Sequence, residues 1–358
     1  MKRSILVSVL AVSIFTACKK DDETSKELSK VEAEAAIDEM ADQLSGDIVG
    51  IMDSEGVKAL ESVSALYSNS GTFGRSTKQV TPEQVKASMK ALVKSFVPKK
   101  TVNGRMLATH AFVFEEWVGV YNYNSSIEDF ERVGDSDIIE LNFPTEGSVN
   151  LNATLSISAL DLIEYTYTDE WGEYTEVYPT DVQASLEVDN AEQASIDLQI
   201  GYNNEYMPVT VSLELFVNPY TFSFNFTNTN STSASIAGSI KLNSEVITAI
   251  DVAVVKAGED EIKSATGFVQ YREMKLQGSI TNPDFMSPEP DSMGDFIKLS
   301  LFKGSQKVGD IVFEIEEDEF GEYEVPYLLF SDGSKKPLEE VFAPIIEQLE
   351  DEMDEIGG

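Results

Sequence analysis

Cysteine and histidine often serve as nucleophile, general base or zinc ligand, and each occurs only once in this 358-residue chain. Cys18 follows an apolar stretch near the N-terminus, and His110 lies in the segment LATHAFVFEEW. A site with several cysteine or histidine ligands for zinc therefore has too few of them, and a Ser-His-Asp triad would have to use His110. The alternation of His110 with apolar residues is typical of a strand and favours a structural histidine over a catalytic base.

An acidic motif occurs twice, as DEWGEY at residues 169–174 and as DEFGEY at residues 318–323. Ca²⁺ prefers oxygen ligands, so each copy offers a cation three carboxylates. The acidic residues are Asp169, Glu170, Glu173, Asp318, Glu319 and Glu322. Their spacing matches no defined calcium loop, and a glycine-centred hairpin turn with solvated acids is the favoured interpretation. Ca²⁺ is the one cofactor considered, and we expect none.

The residue types also allow a hydrophobic-ligand groove and a catalytic pair of carboxylates. Tyr220, Phe222, Phe224 and Phe226 alternate along one segment and could line a groove for a hydrophobic ligand, although such a stripe is more often core beneath helices. A carboxylate-based, glycosidase-like hydrolase needs two acids across a cleft. The chain has 63 acidic residues, and the sequence nominates no pair among them.

The N-terminus has the organisation of a secretory signal. Lys2 and Arg3 precede an apolar stretch, residues 5–15, that is too short to span a bilayer. The segment FTAC, residues 15–18, resembles the lipobox of bacterial lipoproteins, although phenylalanine stands where leucine is usual. The resemblance implies that residues 1–17 are removed and that Cys18 is acylated, for example with palmitate. Two or three acyl chains, at about 0.8 kcal/mol per buried CH₂, hold a protein on a membrane stably.

The charged run after the cysteine is similar to the surface-export signal of Bacteroidota lipoproteins. It consists of Lys19, Lys20, Asp21, Asp22 and Glu23. The resemblance implies a lipid-anchored protein of the outer membrane that faces the cell exterior, with the periplasmic face as the alternative. Residues 18–26 would then form an acylated, charged tether. Asp291-Ser292-Met293 resembles the O-glycosylation acceptor of Bacteroidota envelope proteins, which would modify Ser292, but an unmodified loop is favoured.

The charge balance restricts the partners. With 26 basic and 63 acidic residues the formal net charge is −37. Such a surface repels nucleic acid and anionic lipid headgroups, so no nucleic-acid partner is expected and membrane attachment must come from the lipid anchor.

The spacing of apolar residues predicts the helices and strands that position these residues. Residues 27–98 have apolar residues at helical spacing, interrupted at Gly46 and Gly50, and predict a helical layer with one apolar side. From residue 106 to 330 the period becomes two, which predicts strands joined by hairpins. Residues 337–356 predict a C-terminal amphipathic helix.

An internal similarity links two parts of the strand region. SLEVDNAEQASIDLQI at residues 185–200 aligns without gaps with SIKLNSEVITAIDVAV at residues 239–254. The apolar rhythm is the same in both, so we predict a repeated hairpin unit.

The predicted fold is α+β, with residues 27–356 forming one domain. A large curved antiparallel β-meander of nine to twelve strands would be covered on one face by the N-terminal helices and the C-terminal helix. This layout resembles the half-barrel lipid and lipoprotein carriers of the bacterial envelope, which also close an open antiparallel sheet with helices.

Three functions are therefore weighed. The first is a non-catalytic cell-surface lipoprotein that binds a ligand or an outer-membrane protein partner. The second is a carrier of a lipid-like molecule, which requires an enclosed apolar cavity. The third is the carboxylate-based hydrolase, which requires two facing acids. The first is preferred, and it is not an enzyme.

Overall fold

The structure is a computed structural model. It describes residues 26–67, 101–102, 105–106, 114–127, 129–145, 147–169, 172–258, 262–281, 293–318 and 321–346. The predicted signal segment, the second half of the predicted helical layer after Tyr67 and the loop containing Ser292 lie outside these ranges.

The helices of the described chain are α1 (Lys30–Met52), α2 (Glu55–Tyr67), α3 (Met293–Phe296) and α4 (residues 338–346), with a 3₁₀ turn at Phe114–Glu116. No helix among them is both long and apolar enough to cross a membrane.

A capping box starts α1. The Ser29 hydroxyl accepts a hydrogen bond from the Glu32 backbone N–H (3.4 Å), and the Glu32 carboxylate accepts one from the Ser29 N–H (2.9 Å). The Ser29 hydroxyl also donates to the Glu32 carboxylate (2.7 Å), and this bond, followed by that from the Ser29 N–H, holds the pKa of Glu32 below its ordinary value. The sequence SKVE therefore fixes the start of the helix.

The helix interruption predicted at Gly46 and Gly50 is wrong, because α1 runs through both residues. A glycine inside a helix costs only about 1 kcal/mol, which neighbouring helical residues and packing can offset. The break falls instead after Met52, where Ser54 starts α2 by accepting a hydrogen bond from the Val57 N–H (3.3 Å).

Eighteen strands lie within the described residues. They are β1 (Thr101–Val102), β2 (Arg105–Met106), β3 (Gly119–Asn124), β4 (Asp129–Gly134), β5 (Ile139–Phe143), β6 (Ala153–Asp169), β7 (Gly172–Val188), β8 (Ala191–Tyr202), β9 (Pro208–Val217), β10 (Tyr220–Thr227), β11 (Ser233–Leu242), β12 (Glu245–Lys256), β13 (Ile262–Tyr271), β14 (Met274–Thr281), β15 (Ile297–Lys303), β16 (Gln306–Asp318), β17 (Gly321–Leu329) and β18 (Lys335–Pro337).

Sixteen of these strands form one open sheet that is mainly antiparallel. From β5 to β18 each strand neighbours the next one in the chain, as the predicted hairpin connections require. Two parts of the prediction are wrong. The sheet has more than the nine to twelve strands expected, and it is not a pure meander, because β3 lies between β4 and β5 and pairs with β5 in parallel. Alternation identifies strands well, but it carries no information on which neighbour a strand chooses.

The predicted repeat is confirmed as two matching hairpins. In the first, β7 and β8 turn at Asp189-Asn190, and in the second, β11 and β12 turn at Asn243-Ser244, the aligned positions. Each hairpin also has a register shift two to three residues before its turn, at Leu186/Glu187 and at Ile240/Lys241, which are again aligned. The repeat therefore preserves a bulge as well as a turn.

The chain divides into two compact units. The first comprises residues 1–50 and 223–358, and the second comprises residues 51–222. In the first unit, the main buried cluster joins residues of α1 and α4 to residues of β14 to β17. Its members are Leu28, Ala33, Ala36, Ile37, Met274, Leu301, Val308, Ile311, Leu328, Phe330 and Val341.

The second unit has its own buried cluster, formed by α2 and strands β5 to β8. Its members are Ala59, Ile139, Leu141, Phe143, Ala153, Leu155, Ile157, Leu160, Leu186 and Ala194. Phe114 from the 3₁₀ turn and Trp117, the residue after that turn, pack against this cluster. The apolar face of β6 to β8 is thus packed against α2 at the end of these strands that contains Leu155, Leu186 and Ala194. The candidate site lies towards the other end, which contains Ile163, Thr180 and Ile200.

Candidate functional site

Several residues nominated from the sequence lie outside the described residues. They are Cys18, Lys19, Lys20, Asp21, Asp22, Glu23, Glu170, Glu319, Ser292 and His110. Their proposed roles in lipidation, export, cation binding and modification therefore stay predictions.

Both acidic motifs lie at hairpins. Asp169 pairs with Gly172 across the β6–β7 hairpin, and Asp318 pairs with Gly321 across the β16–β17 hairpin. The glycine is thus the first residue of the returning strand and not the centre of the turn, which corrects the predicted geometry. Glu173 is the second residue of β7, and Glu322 is exposed on β17. No group of three or more acidic, histidine or cysteine side chains that could hold a metal ion occurs within the described ranges.

The aromatic stripe of β10 varies in exposure along its length. Tyr220 is 4% exposed and belongs to the core, Phe222 and Phe226 are half-buried, and Phe224 is 37% exposed. The alternation predicted for this stripe is present in the strand. Its role in binding a hydrophobic ligand stays a prediction.

The β6–β7 hairpin extends beyond the strands that pair with it on either side, a feature that was not predicted from the sequence. Strand β5 pairs with β6 only as far as Ile157, and β8 pairs with β7 only from Asp181 onward. Within the described chain, residues 162–169 and 172–179 pair only with each other. We call this two-stranded segment the ribbon.

Pro179 explains why the pairing between β7 and β8 stops at this point. Its carbonyl oxygen faces β8 and accepts a hydrogen bond from the Tyr202 hydroxyl (3.0 Å). In an antiparallel strand the N–H of a residue points to the same side as its C=O, and proline has no N–H to continue the ladder. A side chain thus replaces the backbone bond, and the strands diverge.

An open groove of about 440 Å³ occupies the space next to this divergence. Its lining comes from the base of the ribbon, the end of β8 and the turn that follows. The lining residues are Ile163, Thr180, Ile200, Gly201, Tyr202, Asn203, Asn204 and Tyr206. None of these eight residues is charged, although the chain as a whole carries a net charge of −37.

Two tyrosines line the groove, Tyr202 and Tyr206, and each contacts a tyrosine of the ribbon. The rings of Tyr206 and Tyr165 have centroids 4.4 Å apart, and those of Tyr202 and Tyr178 have centroids 5.8 Å apart. In each pair one tyrosine lies on the ribbon and the other at or after the end of β8. Burial raises the pKa of Tyr202, so its hydroxyl keeps the proton that it donates to Pro179. We call these four residues and the lining residues together the tyrosine groove.

The turn that carries Tyr206 is held by Asn203. The Asn203 side-chain oxygen accepts hydrogen bonds from the N–H groups of Glu205 and Met207, both at 2.9 Å. The Asn203 N–H donates to the Met207 carbonyl (3.0 Å). Tyr206 itself has a left-handed backbone, with φ of 60°. The Tyr206 N–H donates a fourth hydrogen bond, to the Asn203 carbonyl (3.1 Å). A large side chain rarely adopts the left-handed conformation, and these four bonds hold an aromatic residue at a position where glycine or asparagine is more usual.

A second cluster, in the other unit, is structural. The Arg272 guanidinium donates two hydrogen bonds to the two carboxylate oxygens of Asp47 on α1 (2.7 and 2.9 Å), and the Tyr271 hydroxyl donates a third (2.7 Å). Burial alone would raise the pKa of Asp47, but these bonds and the positive charge of Arg272 outweigh it and hold the pKa below its ordinary value. The cluster ties α1 to the turn between β13 and β14.

Sequence reasoning missed the tyrosine groove, although one signal for it was visible. The segment EYTYTDEWGEYTEVYP, residues 164–179, contains four tyrosines and a tryptophan. The register places positions 165, 167, 174 and 178 on one face of the ribbon. What the sequence does not reveal is that the end of β8 meets this face.

Comparison of the chain with protein-family models, with curated proteins and with solved structures finds no match in any of the three.

Proposed function

We propose that this chain is a non-catalytic lipoprotein of the outer-membrane surface, anchored through acylated Cys18, that binds a ligand in the tyrosine groove. The observation that carries the binding part is the groove itself. It combines a volume within the range of small-molecule sites, about 300 to 1,000 Å³, with aromatic rings and a few neutral polar groups. The anchoring part rests on the lipobox-like segment and the charged run that follows Cys18.

The chemistry of the lining favours binding over a reaction. Its polar groups are amides and hydroxyls, which fix the orientation of a ligand but make poor general acids or bases near neutral pH. A carboxylate-based hydrolase would need two acids facing each other, and the lining contains none. A lipid carrier would need an enclosed apolar cavity, whereas this groove is open.

We also propose that, within each unit, the helices cover one face of that unit's strands. The buried clusters support this arrangement, because α1 and α4 share one cluster with β14 to β17, and α2 shares another with β5 to β8. The tyrosine groove would then lie at the margin of the covered region, where Ile200 is followed two positions later by Tyr202 on the same face.

The anchor is tested with Cys18→Ala. Acylation on sulfur requires this cysteine, so the variant should move from the membrane fraction to the soluble fraction of lysed cells and should fail to incorporate labelled palmitate. Replacement of Lys19 to Glu23 by alanine should retain the lipid but protect the protein from protease added to intact cells. Surface cleavage that persists after this replacement would contradict the export role.

The groove is tested by photo-crosslinking in intact cells, which does not depend on the ligand class. Asn204 lines the groove and is exposed, so Asn204→p-benzoylphenylalanine should give a covalent adduct on irradiation. The matched control is Val149→p-benzoylphenylalanine, because Val149 is 96% exposed and is not part of the lining. Equal adduct yields at both positions, or no adduct at position 204, would show that the groove is not the binding site.

A further inference from the structure

We infer that the ligand of the tyrosine groove is a neutral saccharide. This inference rests on the proposed binding function and names the ligand class of the same site. It follows from three properties: the aromatic rings among the lining residues, the neutral polar groups beside them and the net charge of the chain.

The rings of Tyr206 and Tyr202 are already held in place in the free protein. The ring of Tyr206 contacts that of Tyr165, with centroids 4.4 Å apart, and its turn is fixed by the hydrogen bonds of Asn203. Tyr202 is held by its hydroxyl on Pro179 and by contact with Tyr178. A site whose aromatic side chains are already ordered loses little conformational entropy when a ligand stacks on them. The left-handed conformation of Tyr206 costs energy in the free protein, and such a cost is characteristic of functional positions.

The polar groups of the groove match a ligand that both donates and accepts hydrogen bonds. Asn204 has a side-chain amide and Thr180 a hydroxyl, and Asn203 offers its side-chain NH₂ group, because its oxygen already accepts two hydrogen bonds within the turn. A pyranose ring has an apolar C–H face that stacks on an aromatic ring and a rim of hydroxyl groups that each donate and accept. The groove offers the same two kinds of group, whereas a purely apolar ligand would cover the Asn204 amide and the Asn203 NH₂ group without giving them a partner.

Charge excludes the acidic members of this ligand class. No lysine or arginine lines the groove, so an anionic sugar finds no counter-charge there. The whole chain carries a net charge of −37, so its field repels an anion before contact. A neutral saccharide is indifferent to this field, and its binding should therefore depend little on salt.

The ribbon offers room for a chain longer than the groove itself. Positions 165, 167, 174 and 178 share one face of the ribbon, and each holds a tyrosine. Glu176 shares this face, directly opposite Tyr165, and successive positions on one face of a strand are about 7 Å apart, so the face continues beyond the groove. A polymeric saccharide could therefore occupy both.

The test uses the acylated protein in detergent micelles on an array of neutral oligosaccharides, uronic acid oligosaccharides and proline-rich peptides. Proline-rich peptides are included because they also dock in aromatic grooves. We expect binding to at least one neutral oligosaccharide, with affinity that changes less than about twofold between low and physiological salt. Binding confined to peptides or to acidic sugars would overturn the saccharide assignment.

Variants of Tyr206 place the binding in the groove. Tyr206→Gly suits the left-handed backbone and removes the ring, so it should keep the fold but weaken binding at least about tenfold. Tyr206→Phe keeps the ring and should retain most of the affinity. The control Tyr323→Ala removes a tyrosine that is 46% exposed in the second acidic hairpin and should leave affinity unchanged.

The outcomes separate this inference from the proposed function. If the adduct at position 204 forms in cells but no neutral oligosaccharide binds, the groove is a binding site for another ligand class and only the saccharide inference fails. If a neutral oligosaccharide binds but Tyr206→Gly binds it equally well, the ligand lies elsewhere and the inference is wrong. If neither adduct nor saccharide binding is found, both proposals fail.

Discussion

At the scale of single residues, the contact between Asp47 and Arg272 provides a direct test of the structure. Asp47→Ala leaves two nitrogens of the Arg272 guanidinium, whose side chain is 26% exposed, and the Tyr271 hydroxyl without their acceptor, so we expect the free energy of unfolding to fall by about 2 to 3 kcal/mol. The matched control is Glu245→Ala. Glu245 pairs with the same guanidinium, but its side chain is 66% exposed against 12% for Asp47, and its loss should cost less than about 1 kcal/mol.

Urea unfolding followed by circular dichroism measures both variants. Equal losses of unfolding free energy in Asp47→Ala and Glu245→Ala would contradict this prediction, because they would mean that the buried ion pair contributes no more than the exposed one. The comparison is sharp because the arginine is the same in both.

The same carboxylate gives a pH dependence. The pKa of Asp47 is lower in the folded chain than its ordinary value, so its charge stabilises the fold above the unfolded pKa of about 3.9. This stabilisation is lost as the pH falls through the folded pKa. The difference in unfolding free energy between the wild type and Asp47→Asn should therefore stay constant from neutral pH down to about pH 5 and then shrink in acid. Urea titrations across this range measure it, and a difference that grows in acid would have the wrong sign.

Asn203 shows how one side chain organises the tyrosine groove. Asn203→Ala removes the acceptor for the Glu205 and Met207 N–H groups, so both amides should exchange with solvent at least about tenfold faster. Asn203→Asp keeps an acceptor oxygen and should preserve slow exchange. Hydrogen exchange measured by NMR compares the two, and similar exchange in both variants would show that backbone bonds alone hold the turn.

At the scale of elements, Gly56 decides how α2 meets β8 and β9. A Cβ atom added at Gly56 would lie 2.5 Å from the Asn218 nitrogen and 2.6 Å from the Gln193 carbonyl oxygen, both backbone atoms. The Gly56 N–H also donates to the Asn218 carbonyl (3.1 Å). Backbone cannot rotate away as a side chain can, so Gly56→Ala should destabilise the protein by at least about 2 kcal/mol.

The control for this prediction is the same substitution in α1. Gly46 is exposed inside the helix, and no atom lies within 4 Å of the Cβ that an alanine would add. Gly46→Ala should therefore stabilise the protein, by about 0.5 to 1 kcal/mol. Thermal unfolding of the two variants should show melting temperatures that shift in opposite directions. A stabilised Gly56→Ala would mean that α2 does not approach the strands as described.

The parts of the fold that depend on a few neighbouring residues were predictable from the sequence, and those that depend on contacts between distant segments were not. The strands and the turns at Asp189 and Asn243 were predictable, because alternation and turn residues act over a few positions. The parallel pairing of β3 with β5 was not, because it depends on a choice between distant neighbours. The same limit applies to the candidate site. The tyrosines of the ribbon are visible in the sequence, but their meeting with Tyr202 and Tyr206 depends on where β8 stops pairing with β7.

At the scale of the whole molecule, charge dominates. A net charge of −37 makes the folded chain repel itself, and salt screens this repulsion over a Debye length of about 10 Å at 0.1 M. We expect the melting temperature to rise by several degrees between about 10 mM and 150 mM NaCl. A fall over this range would mean that attractive pairs such as Asp47 and Arg272 outweigh the general repulsion.

Divalent cations separate general screening from a specific site. At equal ionic strength, Mg²⁺ and Ca²⁺ screen equally, so any excess stabilisation by Ca²⁺ must come from a protein site whose ligand number and flexibility suit the larger ion.

The acidic hairpins are the candidates from the sequence, and the double variant Asp318→Asn with Glu319→Gln removes two carboxylates from one of them. If hairpin acids are merely solvated, as we favour, CaCl₂ and MgCl₂ should raise the melting temperature equally in the wild type and in the variant. A Ca²⁺ excess that disappears in the variant would instead establish a calcium site there, and a Ca²⁺ excess that persists would direct attention to Asp169, Glu170 and Glu173 in the other hairpin.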